Sequence, residues 1–209
     1  MRCILRCVSL GSVIHPALRS INRAGQGLCA VGEKALMLGD FDTDRLSIRN
    51  WSVLLDDPVR RPILNDALAT ALTGPVLAHL PDQLQMTDPA REIAGWIDAR
   101  AAESVGYTVH TRHDDTLLGL LMLVEIAEDY GSRAWHLGYL LAQWAWGQGY
   151  ASEMVVGLVD ACRAAGPMRL IGGVGHGNPA SARVLEKAGF QRDVAASLDG
   201  TDLYALSIA

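Results

Sequence analysis

The sequence predicts a mixed α/β fold: a mostly antiparallel sheet with one central pair of parallel strands. Three patterns point to it. Residues 107–112, 117–126 and 134–141 are strand-like runs joined by turns at His113-Asp114-Asp115 and at 128–133, which is the pattern of an antiparallel meander. An apolar-periodic helix then begins near Ala151, buries Met154, Val155, Leu158, Val159 and Cys162, and stops at Gly166-Pro167. Residues 168–174 form a further strand, so strand, helix and strand make a crossover unit whose two strands lie parallel.

The remaining elements follow in order. Leu46 and Ile48 alternate with polar residues over 43–49, the period of a half-buried strand, and the folded domain is expected to start there. Between 52 and 80, apolar helical fragments broken by Pro58, Pro62 and Pro75 predict one or two short helices. Thr87-Asp88-Pro89 reads as an N-cap followed by proline at the first helical position, with Ile93, Trp96, Ile97 and Ala101 on the helix's apolar face. After the crossover come a short helix over 179–188, ended by Gly189, and strands near Phe190 and over 203–208.

Composition narrows the class. A chain of 209 residues, half of them apolar and a fifth charged, suits one catalytic domain with a full core. A net charge of -5 gives no electrostatic basis for non-specific nucleic-acid binding and fits a cationic or neutral substrate. No run approaches the roughly 20 apolar residues of a spanning helix. Cys3, Cys7, Cys29 and Cys162 have the spacing of neither a disulfide framework nor a zinc site, so no metal is expected and reduced thiols in the cytoplasm are the default. Residues 1–42 differ in composition, with Arg2, Arg6, Arg19 and Arg23 against Glu33 as the one acid before Asp40. Gly11, His15 and Pro16 interrupt their apolar stretch and no small-x-small cleavage site follows, so they read as an N-terminal extension of unknown role, appended to a domain over 43–209.

Two segments carry the chemistry. Trp146-Gly147-Gln148-Gly149-Tyr150-Ala151 lies between a strand and a helix start. Its glycines either serve a tight turn or let the backbone approach a ligand, whose diphosphate would suit the free N–H groups and positive dipole end of the helix. No G-x-x-x-x-G-K-[ST] is present, and Ser152 stands at the third glycine position of G-x-G-x-x-G. The second segment is Asn178-Pro179-Ala180-Ser181, then Leu185-Glu186-Lys187-Ala188-Gly189-Phe190. Asn178 is a good N-cap, and the helix it starts can also turn Ser181 and Lys187 toward a ligand between the parallel strands.

Together with Leu137-Gly138-Tyr139 and Ser152-Glu153, these segments resemble the GNAT acetyltransferase superfamily, closest to its RimJ/RimL branch of ribosomal-protein N-terminal acetyltransferases. Thr43-Asp44-Arg45-Leu46 resembles that branch's first strand, and the likeness covers about residues 43–209. The resemblance implies a sheet splayed between its central parallel strands for acetyl-CoA as co-substrate. It implies that the family pattern Q/R-x-x-G-x-G/A falls on 146–151, with Trp146 in place of Gln or Arg. Trp146, Gly147, Gln148, Gly149, Tyr150, Ala151 and Ser152 then surround the CoA diphosphate. Tyr139, Leu140 and Leu141 pair with the pantetheine arm, and Asn178 and Lys187 also touch CoA.

One departure bears on mechanism: Leu185 stands where many members carry a tyrosine that protonates the leaving thiolate. Ser181 matches a serine suggested as that acid in the RimL-like branch, and N-cap bonding or helix packing explains it equally well. His136 and Glu125, on the central strands, are the candidate bases, and a backbone N–H near Leu141 is the candidate oxyanion donor. Gly172, Gly173 and Gly175 read as room for a ligand or substrate. The expected acceptor is a primary amine, in first place a peptide or protein α-amine. A small-molecule amine, a non-catalytic acyl-CoA-binding module and a nucleotide-binding regulatory domain stay open beside it, as does the choice between monomer and homodimer.

Overall fold

The computed structural model describes residues 38–209 except 82–83, 128–132 and 199, and the side chains of Ala127 and Arg133. Cys3, Cys7, Cys29, the extension up to residue 37 and most of the turn over 128–133 lie outside these residues. Eight strands form one sheet in the order β1-β2-β3-β4-β5-β6-β8-β7. β1 (Phe41–Asp42) and β2 (Leu46–Asn50) lead to β3 (Val105–Thr111), β4 (Leu117–Ala127) and β5 (Arg133–Leu141), each antiparallel to the one before it. β6 (Met168–Gly175) runs parallel to β5, and β7 (Gln191–Leu198) and β8 (Thr201–Ile208) complete the sheet antiparallel. The sheet is therefore mixed, mostly antiparallel, with the central parallel pair that the crossover pattern predicts.

The two faces of β5 sort the core. Side chains alternate along a strand, so Trp135, Leu137, Tyr139 and Leu141 pack with Met154, Val155 and Leu158 of α5 (Tyr150–Ala165) and Leu185 of α6 (Pro179–Lys187). Leu140, with Leu120 and Met122 of β4, faces the other way. It packs with Leu64 and Leu68 of α2 (Arg60–Ala71) and with Ile93, Trp96 and Ile97 of α4 (Pro89–Glu103). Residues upstream of Thr43 join this unit: Leu38 is buried, its carbonyl accepts from the Tyr107 hydroxyl at 2.8 Å, and Phe41 packs on the first cluster.

Several expectations are refined. Between 52 and 80 there are three helices, α1 (Ser52–Leu55), α2 and α3 (Gly74–Leu77), rather than one or two. Pro62 sits in the first turn of α2 and Pro75 in that of α3, where the missing N–H costs nothing, so the prolines start helices and do not break them. In α4 the buried positions are Ile93, Trp96, Ile97 and Arg100, while Ala101 is exposed. Arg100 stays buried by covering the Trp96 ring at 5.5 Å and pairing with Glu103 at 3.2 Å. Asp88 does occupy the N-cap position of α4 but its side chain does not cap. Instead the Glu92 carboxylate accepts from the N–H groups of Thr87 and Asp88 and from the Thr87 hydroxyl.

Candidate functional site

The loop after β5 is built by its tryptophan and glycines. A single 3-10 turn, Gln143–Ala145, leads to Trp146, whose indole N–H donates to the carbonyl of Leu141 at 2.8 Å and ties the loop to the strand end. Gly147 and Gly149 have φ of +75° and +82°, a region that only glycine enters freely, so the turn by itself requires both. Gly149 is the residue before α5 and has no side chain to cap the helix's first N–H groups. An anion is the natural partner for such a helix start. A cleft of about 140 Å³ opens there, walled by Leu141, Trp146, Gly147, Gly149, Tyr150, Ala151 and Ser152 on one side and by Ala180, Arg183, Val184 and Lys187 of α6 on the other.

Next to this cleft the sheet splays. Among the described residues β5 and β6 pair at Ala134↔Arg169, Trp135↔Leu170 and His136↔Ile171, and beyond His136 no described strand pairs with β5 on that side. The Ala142 N–H donates to Leu118 of β4. In an antiparallel ladder alternate residues bond alternate neighbours, so Leu140 spends its peptide groups on β4, while those of Tyr139 and Leu141 point to the β6 side, where the Leu141 carbonyl already accepts from Trp146. The strand therefore brings two of the three predicted backbone residues, Tyr139 and Leu141, to the opening. Leu140 instead buries its side chain in the second cluster.

Asn178 caps α6: its side-chain oxygen accepts from the Ser181 N–H at 3.2 Å. That bond fixes the first turn of α6 and with it Ser181, whose side chain is fully buried. The Tyr139 hydroxyl donates to Ser181 Oγ at 3.4 Å, longer than an ordinary O–H···O bond. An Asn178→Ala variant should lose about 1 kcal/mol of stability, the usual value of an N-cap, measured by urea unfolding.

The two candidate bases are separated. Glu125 is paired with Trp135, so it lies on the α5 face, and it is exposed. His136 is paired with Val124 and points to the opposite face, at the last residue before the strands part. Both its ring nitrogens are buried without a hydrogen-bond partner among the described residues, and burial pushes its pKa down to about 4. At neutral pH the imidazole is therefore uncharged and able to accept a proton. Cys162 is no competing nucleophile, since burial under α5 raises its thiol to about 12. Among the described residues no cluster of His, Cys, Asp or Glu is placed to hold a metal ion, and no helix is long and apolar enough to cross a membrane.

Three contributors were not singled out in the sequence. Arg183 lines the cleft four residues before Lys187, on the same helix face, and that spacing was visible. The Tyr139 hydroxyl reaches Ser181 across 42 residues, and Arg45 reaches the Gln148 carbonyl across 103; neither contact leaves a local signal. Gln148 keeps its side chain on the loop, donating from Nε2 to the Trp144 carbonyl at 2.8 Å.

A sheet opened between two parallel strands, with a helix start and two basic side chains beside the opening, is an arrangement suited to an acyl-CoA-dependent acyltransferase. The Acetyltransferase (GNAT) domain family matches residues 45–191, and the chain belongs to that family. Among solved structures, the fold is similar to a GNAT-family acetyltransferase from Bacillus anthracis (TM-score 0.55, 19% identity, 81% of this chain and 97% of that one). It is similar to the Salmonella typhimurium acetyl transferase that modifies the N-terminal serine of 50S ribosomal subunit protein L7/L12 (0.56, 20%, 80% and 97%). It is also similar to Mycobacterium smegmatis RimJ in complex with CoA-disulfide (0.59, 18%, 80% and 86%). No curated protein matches the chain. GNAT acetyltransferases draw their acetyl group from acetyl-CoA, and the cleft beside the start of α5 carries two basic side chains, Arg183 and Lys187.

Proposed function

We propose that the protein acetylates the α-amino group of a peptide or protein, holding acetyl-CoA between β5 and β6. The observation that carries this reading is the end of β5–β6 pairing at His136 beside the α5 helix start. In it, the amides of Gln148, Gly149, Tyr150 and Ala151, with Ser152 and Lys187, hold the diphosphate. The pantetheine arm lies along the strand at Tyr139 and Leu141, and Asn178 keeps α6 in place beside it. Acetyl-CoA supplies an activated thioester, from which the amine takes the acetyl group with release of CoA. Ser181, backed by the Tyr139 hydroxyl, delivers a proton to the leaving sulfur. The Leu141 N–H faces the acyl oxygen, and His136 takes the proton that the amine sheds. Glu125, exposed on the opposite face from His136, has the weaker claim to that role.

The preference for an α-amine rests on proton chemistry and on one relative. With a pKa of about 7.7–8.0, an α-amine is neutral in roughly a tenth of molecules at pH 7, against about one in a thousand for lysine. A site whose nearest base has a pKa of about 4 suits the acceptor that is easiest to deprotonate. One structural relative, the Salmonella enzyme that modifies an N-terminal serine, lends the same direction. The test compares peptides with a free N-terminus against the same peptides blocked there but carrying lysine, from pH 6 to 9. The free peptides should turn over faster, with kcat/KM rising about tenfold per pH unit until the amine's own pKa. His136, neutral above about pH 4, should add no limb near 6.5. Faster turnover of the blocked peptides would overturn the α-amine. No turnover of either, with acetyl-CoA still bound, would point to a small-molecule amine or to a non-catalytic acyl-CoA-binding role.

A further inference from the structure

We infer that Arg45 is a positioning residue for the phosphate loop: by neutralising Glu153 it makes the start of α5 fit to receive a diphosphate. This deepens the reading of that loop as the CoA site and rests on it. Glu153 stands in the first turn of α5. A carboxylate there favours the helix itself, because it satisfies the positive dipole end. For the same reason it competes with a bound diphosphate for that end and repels it. Its burial would raise its pKa, but hydrogen bonds from the Thr43 hydroxyl at 2.6 Å and the Arg45 N–H at 2.8 Å outweigh this and hold it below the usual range. The carboxylate is thus ionised at neutral pH and needs a cation.

Arg45 supplies it from the residue before β2. Its Nε and Nη2 both lie 2.6 Å from Glu153 Oε2. Nη1 donates to the Gln148 carbonyl at 3.1 Å, and the guanidinium lies 4.5 Å from the centre of the Tyr150 ring. One side chain therefore touches positions 148, 150 and 153, and holds the Gln148 carbonyl away from a phosphate. Arg45 is itself absent from the walls of the cleft, so it acts through the loop.

Calorimetric titration with CoA of four full-length proteins separates this from a structural role: wild type, Arg45→Met, Glu153→Gln and the double variant. Arg45→Met should bind CoA about tenfold more weakly, and removing the stranded carboxylate in the double variant should recover most of that loss. Glu153→Gln alone should bind as tightly as wild type or more so, and this variant decides the matter should Arg45→Met fail to fold. Unchanged affinity in Arg45→Met, equal weakness of Arg45→Met and the double variant, or a tenfold loss in Glu153→Gln would each overturn the inference. A wild-type protein that binds no CoA would instead overturn the reading of the loop, and this inference with it.

Discussion

Replacing Ser181 by alanine should lower kcat by about 10²- to 10⁴-fold, the range of acid–base catalysis, while KM for acetyl-CoA changes little. The leaving group of the proposed reaction is a thiolate that needs a proton, and Leu185 occupies the position where many relatives offer a tyrosine. Ser181 is fully buried beside the gap, and the Tyr139 hydroxyl at 3.4 Å can replace the proton it gives. Alanine keeps the N-cap, because Asn178 accepts from the Ser181 backbone N–H and not from its side chain. The stability cost should therefore stay near the ~1 kcal/mol of one hydrogen bond, which denaturant unfolding would check. A fully active Ser181→Ala enzyme would reduce the residue to helix packing. Tyr139→Phe gives a graded companion: slower turnover if the phenol relays the proton, wild-type turnover if it only fills space.

Gly149→Val should weaken acetyl-CoA binding by at least tenfold, or about 1.4 kcal/mol. At φ of +82° a β-branched residue is strained, so the backbone must rotate and carry the neighbouring amides out of line. The added Cβ would lie in ordinary contact with Arg45 Nη2 at 3.5 Å, so the loss is expected from the backbone. Gly149 is exposed and sits at a helix end, so the domain itself should still fold. Circular dichroism and a thermal melt would establish that, and calorimetry with acetyl-CoA gives the affinity. Unchanged affinity in a folded variant would remove the loop from the binding site.

Much of the site was legible because its parts are local. The periodicity of α5 named all five core residues assigned to it, Met154, Val155, Leu158, Val159 and Cys162. Asn178 before Pro179 announced a cap, and the side chain makes that bond. Pro58 does lie in the break between α1 and α2, whereas Pro62 and Pro75 were misread because proline breaks a helix interior but suits a first turn, and which of the two applies depends on where the helix begins. Ala101 was misplaced for a related reason: at that end of α4 the burial belongs to Arg100, whose aliphatic stem can be covered while its guanidinium meets Trp96 and Glu103.

By itself the sequence determined the strand and helix order, the parallel pair and the glycine loop, because each rests on periods of two or 3.6 residues, or on backbone angles that glycine alone tolerates. Tertiary structure decided which side chains share a site. Register put His136 and Glu125 on opposite faces of the sheet, since paired residues across a ladder point the same way and their partners, Val124 and Trp135, are neighbours in neither face. Folding brought Tyr139 to Ser181 and Arg45 to Glu153. Contacts between residues so far apart in the chain depend on how whole elements pack, and a single sequence carries no local periodicity that reports them.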